Sequence, residues 1–247
     1  MLEMFNSTQF WVDVFKIIVI DLLLSGDNAV VIALACRSLP PQQRKQGVML
    51  GVVGAIVLRM MLTFFAVGLL NLPYLKIIGA VMLLWIGVKL LLPEDEHGED
   101  SIKANSHLWG AVRTIIIADL VMSLDNVLGV AAAAHGNVTL LVFGLLVSIP
   151  LIAWSSQLVL KLIDRFPFII YAGGALLGYV AGEMLVSDKM VAQLLEAVPH
   201  FIHWLLPLIC AALVVVLGMW LAARKAVTAE VVNLVEEHVS AKSTEKH

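Results

Sequence analysis

Charge is scarce in this chain, with Asp, Glu, Lys and Arg making up 14% of its 247 residues against about a quarter in soluble domains. That shortage, with 60% hydrophobic residues and a mean hydropathy of +0.94, excludes an ordinary soluble domain. A formal net charge of −3 gives no basic surface for a nucleic acid, and none is expected as a partner. Cysteine is limited to Cys36 and Cys210, which read as buried small hydrophobes and not as a disulfide framework. The chain has no Gly-x4-Gly-Lys-Ser/Thr loop, no Gly-x-Gly-x-x-Gly, no His-Glu-x-x-His and no Gly-x-Ser-x-Gly. Nucleotide binding and the common hydrolytic chemistries therefore have no foothold, and the chain is not expected to be an enzyme.

What the chain does have is long apolar runs. Spans of roughly 20 residues, the length that crosses about 30 Å of hydrocarbon as a helix, fall at 11–36, 47–70, 73–92, 109–134, 138–160, 167–186 and 203–223. Backbone groups in lipid must find partners internally, and the runs lack the alternation of barrel strands. The expected fold is an all-α membrane protein with seven transmembrane helices. No basic segment precedes the first run and no small-residue cleavage pattern follows it, so it should persist as the first span. The transmembrane domain then covers 1–223. Residues 224–247 form a polar tail, expected to be partly without structure from about 226, with a short surface helix at 231–239.

Basic residues set the orientation. Arg37, Arg44 and Lys45, then Lys103, then Lys161 and Arg165, then Arg224 and Lys225 occupy alternate connections, while the other side holds little beyond Lys76 and Lys189. The N-terminus is expected outside and the C-terminus in the cytoplasm. The acidic run Glu94, Asp95, Glu96, Glu99 and Asp100 falls in a cytoplasmic loop, as a solvated linker or a weak collector of cations.

One pattern occurs twice. Residues 14–37 laid on 112–135 match at ten positions, among them Asp21, Leu22, Ser25, Asp27 and Asn28, which recur as Asp119, Leu120, Ser123, Asp125 and Asn126. A weaker match sets 79–91 over 173–185, with Lys89 facing Glu183. Each repeat, at about 11–92 and 109–186, holds three helices. An odd number of crossings inverts the second copy, as in many secondary transporters, and the helix at 203–223 is an addition. Inversion would bring both Asp-Asn segments to one place near the bilayer midplane.

Carboxylates in hydrocarbon cost at least about 2.5 to 3.5 kcal/mol each, so their repetition points to use. Asp21, Ser25 and Asn28 lie on one helical face, from which Asp27 points away; either Asp27 serves another neighbour or the helix distorts near Ser25-Gly26. Carboxylate, amide and hydroxyl oxygens without nearby His or Cys favour a hard cation such as Mg²⁺, Ca²⁺ or Mn²⁺. Asp21, Asp27, Asp119, Asp125 and Glu183 stand against Arg59 and Lys89, an acidic excess that suits a divalent ion and a proton. The competing reading has some of these acids protonated or bonded between helices. Arg59 is either a structural counter-ion or a mobile gating partner, and Glu183 and Lys89, near span ends, could snorkel to the interface. Gly174, Gly178 and Gly182 form one small-residue packing face, and Gly47, Gly51 and Ala55 another. The pair His200 and His203 reads as structural or incidental, and the ten Met residues as core filler.

Ser25-Gly26-Asp27-Asn28-Ala29-Val30 and its second copy Ser123-Leu124-Asp125-Asn126-Val127-Leu128, with Asp21 and Asp119 upstream, resemble the TerC family of integral membrane proteins over about 10–223. The resemblance implies a seven-helix protein linked to tellurium resistance and, in better understood members, to manganese efflux. It nominates Asp27, Asn28, Asp125 and Asn126 as cation ligands first, then Asp21 and Asp119, with Ser25, Ser123, Arg59, Glu183 and Lys89 supporting. A tellurium oxyanion would be repelled by these acids, so that link is taken as indirect. The expectation is a bacterial inner-membrane secondary transporter exporting Mn²⁺ against protons, with no cofactor. Its partners would be the lipid bilayer, the cation and protons, together with a homo-oligomeric copy or an accessory membrane protein. A second class of function is an accessory membrane protein that supplies metal to exported enzymes or assembles with a partner complex.

Overall fold

The computed structural model describes the backbone of residues 8–24, 26–69, 74–92, 101–133, 138–195 and 201–244; Ser25, the acidic run at 94–100 and His200 lie outside the described residues, as does the side chain of Asp125. The described residues are helical, without strands. In chain order they form α1 (Thr8–Leu24), α2 (Gly26–Cys36), α3 (Pro41–Leu69), α4 (Leu75–Leu91), α5 (Ser101–Ala133), α6 (Val138–Arg165), α7 (Phe168–Ser187), α8 (Lys189–Leu195) and α9 (Phe201–Thr244).

Five helices among the described residues are long and apolar enough to cross a membrane: Pro41–Thr63, His107–Leu124, Thr139–Arg165, Phe168–Ser187 and Phe201–Lys225. The two other expected spans look different. The run at 11–36 is divided between α1 and α2 on either side of Ser25, and α4 has 17 residues. Gly26 opens α2. In the second copy Leu124 replaces that glycine, and α5 runs unbroken through Asp125 and Asn126.

The helices pack in crossed pairs. α3 lies along α5, and α6 lies along α1 and α2; α4 pairs with α7, and α9 docks on α7 and α4. Two apolar cores result. One gathers Ile17, Leu34, Val52, Ile115 and Leu145 from α1, α2, α3, α5 and α6, and the other gathers Val31, Leu83, Val121 and Leu177 from α2, α4, α5 and α7. α5 borders both.

Small residues set how closely the helices approach. A Cβ on Gly178 would lie 2.6 Å from the Cys210 carbonyl oxygen, and one on Gly182 would collide with Cα of Pro207. These two glycines are thus where α9 sits, and Gly174 takes Leu91 of α4 at 2.9 Å. Gly51 admits Ile115 of α5 in the same way, at 2.5 Å. The two glycine faces read from the sequence are contact surfaces inside the chain. Cys36 and Cys210 are buried free thiols.

At one end of the bundle Arg44 donates to Asp164 at 2.9 Å and to the carbonyls of Arg37 and Leu39 at 2.7 and 3.0 Å, while Arg37 donates to the Leu92 carbonyl at 3.1 Å. The basic residues of the first and fifth connections therefore share an end. At the other end Lys76 donates to Ser187 at 3.2 Å. Trp85, Trp109, Trp154 and Trp204 project outward, as aromatic side chains of membrane proteins do near the interface. Past residue 226 the sequence polarity points to a tail partly without structure, whereas α9 continues to Thr244. That stretch holds Ala, Glu, Lys and Leu, and no Gly or Pro follows Gly218, so nothing local stops the helix.

Candidate functional site

The two copies of the motif meet in the interior around Arg59 of α3, which is 1% exposed. Its fork of donors reaches both copies. One terminal nitrogen bonds a carboxylate oxygen of Asp21, the other bonds Asp119 Oδ1 at 2.5 Å, and Nε donates to Ser123 Oγ at 3.0 Å. Ser123 in turn donates to Asp119 Oδ2 at 3.1 Å. Asp21, Asp119 and Ser123 are all buried. A charge this far from water is tolerated only when paired and hydrogen-bonded, and here one cation serves two anions.

Asn28 completes the network. Its Nδ2 donates to Asp119 Oδ1 at 2.6 Å, a bond between residues 91 positions apart. A carboxylate can only accept, so the bond fixes which end of the amide faces Asp119. The other end, Asn28 Oδ1, is buried and has no hydrogen-bond partner among the described residues. An unpaired buried carbonyl costs about 1 to 3 kcal/mol. Asp27, half-buried beside it, accepts from the Asn28 backbone N–H at 2.9 Å, a local side-chain-to-backbone bond.

Asp27 also faces a cavity of about 560 Å³ between α2, α5, α7 and α9. Asn126 of α5, Tyr179 and Glu183 of α7, and His203 of α9 line it. Tyr179 and Glu183 lie one helical turn apart on the same face of α7. Among the described residues, no three His, Cys, Asp or Glu side chains lie close enough together to hold a metal ion.

The candidate residues therefore divide into two groups. Asp21, Asp119, Ser123 and Asn28 join Arg59 in a closed network, whereas Asp27, Asn126 and Glu183 line the cavity. Asp21 and Asp119, nominated as cation ligands, both pair with Arg59. Lys89 stays apart, exposed at the end of α4 over the Trp85 ring at 5.2 Å. Ser25 and the side chain of Asp125 lie outside the described residues. Tyr179 and His203 join the cavity without having been singled out as site residues. For Tyr179 the signal was its spacing, one turn before Glu183 on the same face; for His203 there was none, because its place depends on how α9 docks.

The profile of the integral membrane protein TerC family matches residues 6–226. The chain is 44% identical over 212 residues to the membrane protein YjbE of Bacillus subtilis, covering 86% of this chain and 96% of that one. It is 29% identical over 193 residues to the Bacillus subtilis membrane protein YceF, covering 75% of each. With the inner membrane protein YgdQ of Escherichia coli the identity is 21% over 173 residues, covering 64% of this chain and 73% of that one. No solved structure matches the chain.

Proposed function

The chain belongs to the TerC family of integral membrane proteins, and from that premise we propose that it is a secondary transporter exporting divalent cations, Mn²⁺ foremost, in exchange for protons. The observation that carries this reading is Asn28. Its amide is held by Asp119 of the other motif, and its Oδ1 is buried beside Asp27 with no hydrogen-bond partner among the described residues. A lone oxygen so placed suits a cation that brings its own charge, and its neighbours are oxygen donors, the preference of hard ions.

The path runs from the cavity to Asp27 and Asn126, with Asn28 at the buried end. Asp125, by the symmetry of the motif, is the partner of Asp27. Arg59 holds α1, α3 and α5 together and keeps Asp21 and Asp119 from competing for the ion. The crossed packing of α3 on α5 and of α6 on α1 and α2 supports the inverted relation of the two repeats, with α9 as the added helix. Each arriving ion meets carboxylates that also bind protons, so metal and protons compete, and that competition is the basis for exchange. The absence of a nucleotide-binding motif in the sequence favours a gradient as the energy source. YgdQ is named an inner membrane protein, and the same membrane is the natural place for this chain, with the Arg44 end in the cytoplasm.

Growth tests this reading. Cells lacking the protein should be sensitised to Mn²⁺ far more than to Zn²⁺ or Cu²⁺, and should accumulate manganese. Wild type should restore tolerance, and Asp27→Asn should not although it reaches the membrane. Equal sensitisation to all three metals would remove the hard-cation reading.

A further inference from the structure

We infer that the cavity between α2, α5, α7 and α9 is a vestibule for a hydrated divalent cation, in which Glu183 is the outer binding group and Asp27 the inner one, where the ion sheds water. This rests on the transport reading above and adds to it a second station and a basis for selectivity.

The dimensions fit an ion that keeps its water. A divalent cation with six waters, at about 30 Å³ per water, needs about 200 Å³, and the cavity offers about 560 Å³. The donors fit as well. Glu183, Tyr179 and Ser187 face the cavity from α7, Asn126 from α5, and His203 from α9. They surround the space without converging, since no three His, Cys, Asp or Glu side chains among the described residues are close enough to hold a bare ion. Spread oxygens and one imidazole can bind the outer surface of a hydrated ion.

The wall is anionic, and its parts are positioned. Glu183 and Asp27 both line it, with Tyr179 one turn before Glu183 on the same helix face. A base stands at the rim, where Lys76 donates to Ser187 at 3.2 Å; Lys76 and Ser187 join α4 to α7 there. The α9 wall is fixed by close backbone contact at Gly182 and Gly178, so the opening is a built feature. Beyond Asp27 stands the buried network in which Arg59 pairs with both Asp21 and Asp119. An ion reaching Asn28 Oδ1 must give up part of its shell, and Mg²⁺, which dehydrates reluctantly, stays outside where Mn²⁺ proceeds.

The experiment uses the full-length protein in neutral-lipid nanodiscs, with Mn²⁺ as the probe and its electron paramagnetic resonance signal reporting free ion. In low salt, Glu183→Gln should raise the half-saturating Mn²⁺ concentration about three- to tenfold, and Glu183→Asp should restore most of it. In about 0.5 M salt the difference should fall below twofold, because exposed charges are then screened. As a second measurement at Val186, which also lines the cavity, Val186→Cys should react several-fold faster with a cationic than with an anionic thiol reagent, and Mn²⁺ should slow that reaction while Mg²⁺ slows it less in the Asp27-intact protein. Unchanged Mn²⁺ affinity in Glu183→Gln with equal reactivity toward both reagents would overturn the vestibule. So would a wild type that binds no Mn²⁺. Binding that follows this pattern, with no flux in liposomes, would overturn the transport reading and leave the vestibule standing.

Discussion

Arg59→Met is the perturbation that asks most of the interior. Methionine keeps much of the length of the side chain and removes its charge and all its donors. Asp21 loses its bond to Arg59, Asp119 loses a 2.5 Å bond, and Ser123 loses the donor at 3.0 Å. Two buried carboxylates then remain without their cation, and removing one partner of a buried ion pair costs about 3 to 5 kcal/mol. At about 1.4 kcal/mol per factor of ten, that lowers the ratio of folded to unfolded protein by about 10² to 4 × 10³. Arg59→Lys keeps the charge but replaces the fork with a single ammonium, and should lose about 1 to 3 kcal/mol for the bonds it cannot make. Equilibrium unfolding in mixed micelles reads these differences. Adding Asp119→Asn to Arg59→Met should recover part of the loss, because the second change removes one of the stranded charges. The deficit of Arg59→Met should also shrink as pH is lowered, since a protonated carboxyl needs no counter-ion. A variant as stable as wild type, or a double variant whose losses simply add, would refute the reasoning.

Three more outcomes follow from the geometry. Asp21→Asn and Asp119→Asn should lower stability more than Mn²⁺ affinity, and Asp27→Asn the reverse; binding and unfolding measured on the same preparations separate the two. Gly182→Val drives its first side-chain carbon into Cα of Pro207, so α9 must shift at a cost of about 1 to 3 kcal/mol, and a cysteine at Val186 should change its labelling rate. A cysteine introduced at Asn137 should be labelled on intact cells by an impermeant reagent, and one at Arg44 should be protected; the opposite pattern would reverse the orientation.

Much of this arrangement was legible in the sequence, because the informative residues are out of place for their surroundings. Asp21 and Asp119 in apolar runs announced a polar centre, and Arg59 was the base within reach of them. Their roles were harder to read. Spacing places Asp21, Ser25 and Asn28 on one face as a candidate cation site and left Arg59 as either a structural counter-ion or a mobile gating partner; the path of α3 across both motifs is what brings Arg59 to Asp21 and Asp119. Whether the helix distorts near Ser25-Gly26 or Asp27 serves another neighbour was left open by the spacing; Ser25 lies outside the described residues, and α5 continues through the matching positions of the second copy, where a leucine stands in place of the glycine. The cavity was not legible. Its wall joins Asp27, Asn126, Glu183 and His203 from four helices, and although Gly178 and Gly182 were legible as a packing face, nothing in their spacing says that α9 is the helix seated there.

The central claim is that the paired motifs move a divalent cation against protons. Purified protein in liposomes, with Mn²⁺ on one side and an imposed pH gradient, tests it most directly. Mn²⁺ flux should rise with the opposing proton gradient, should be accompanied by proton movement in the other direction, and should vanish in both Asp27→Asn and Asp125→Asn. Flux that ignores the gradient, or two variants that each keep half of it, would contradict the account.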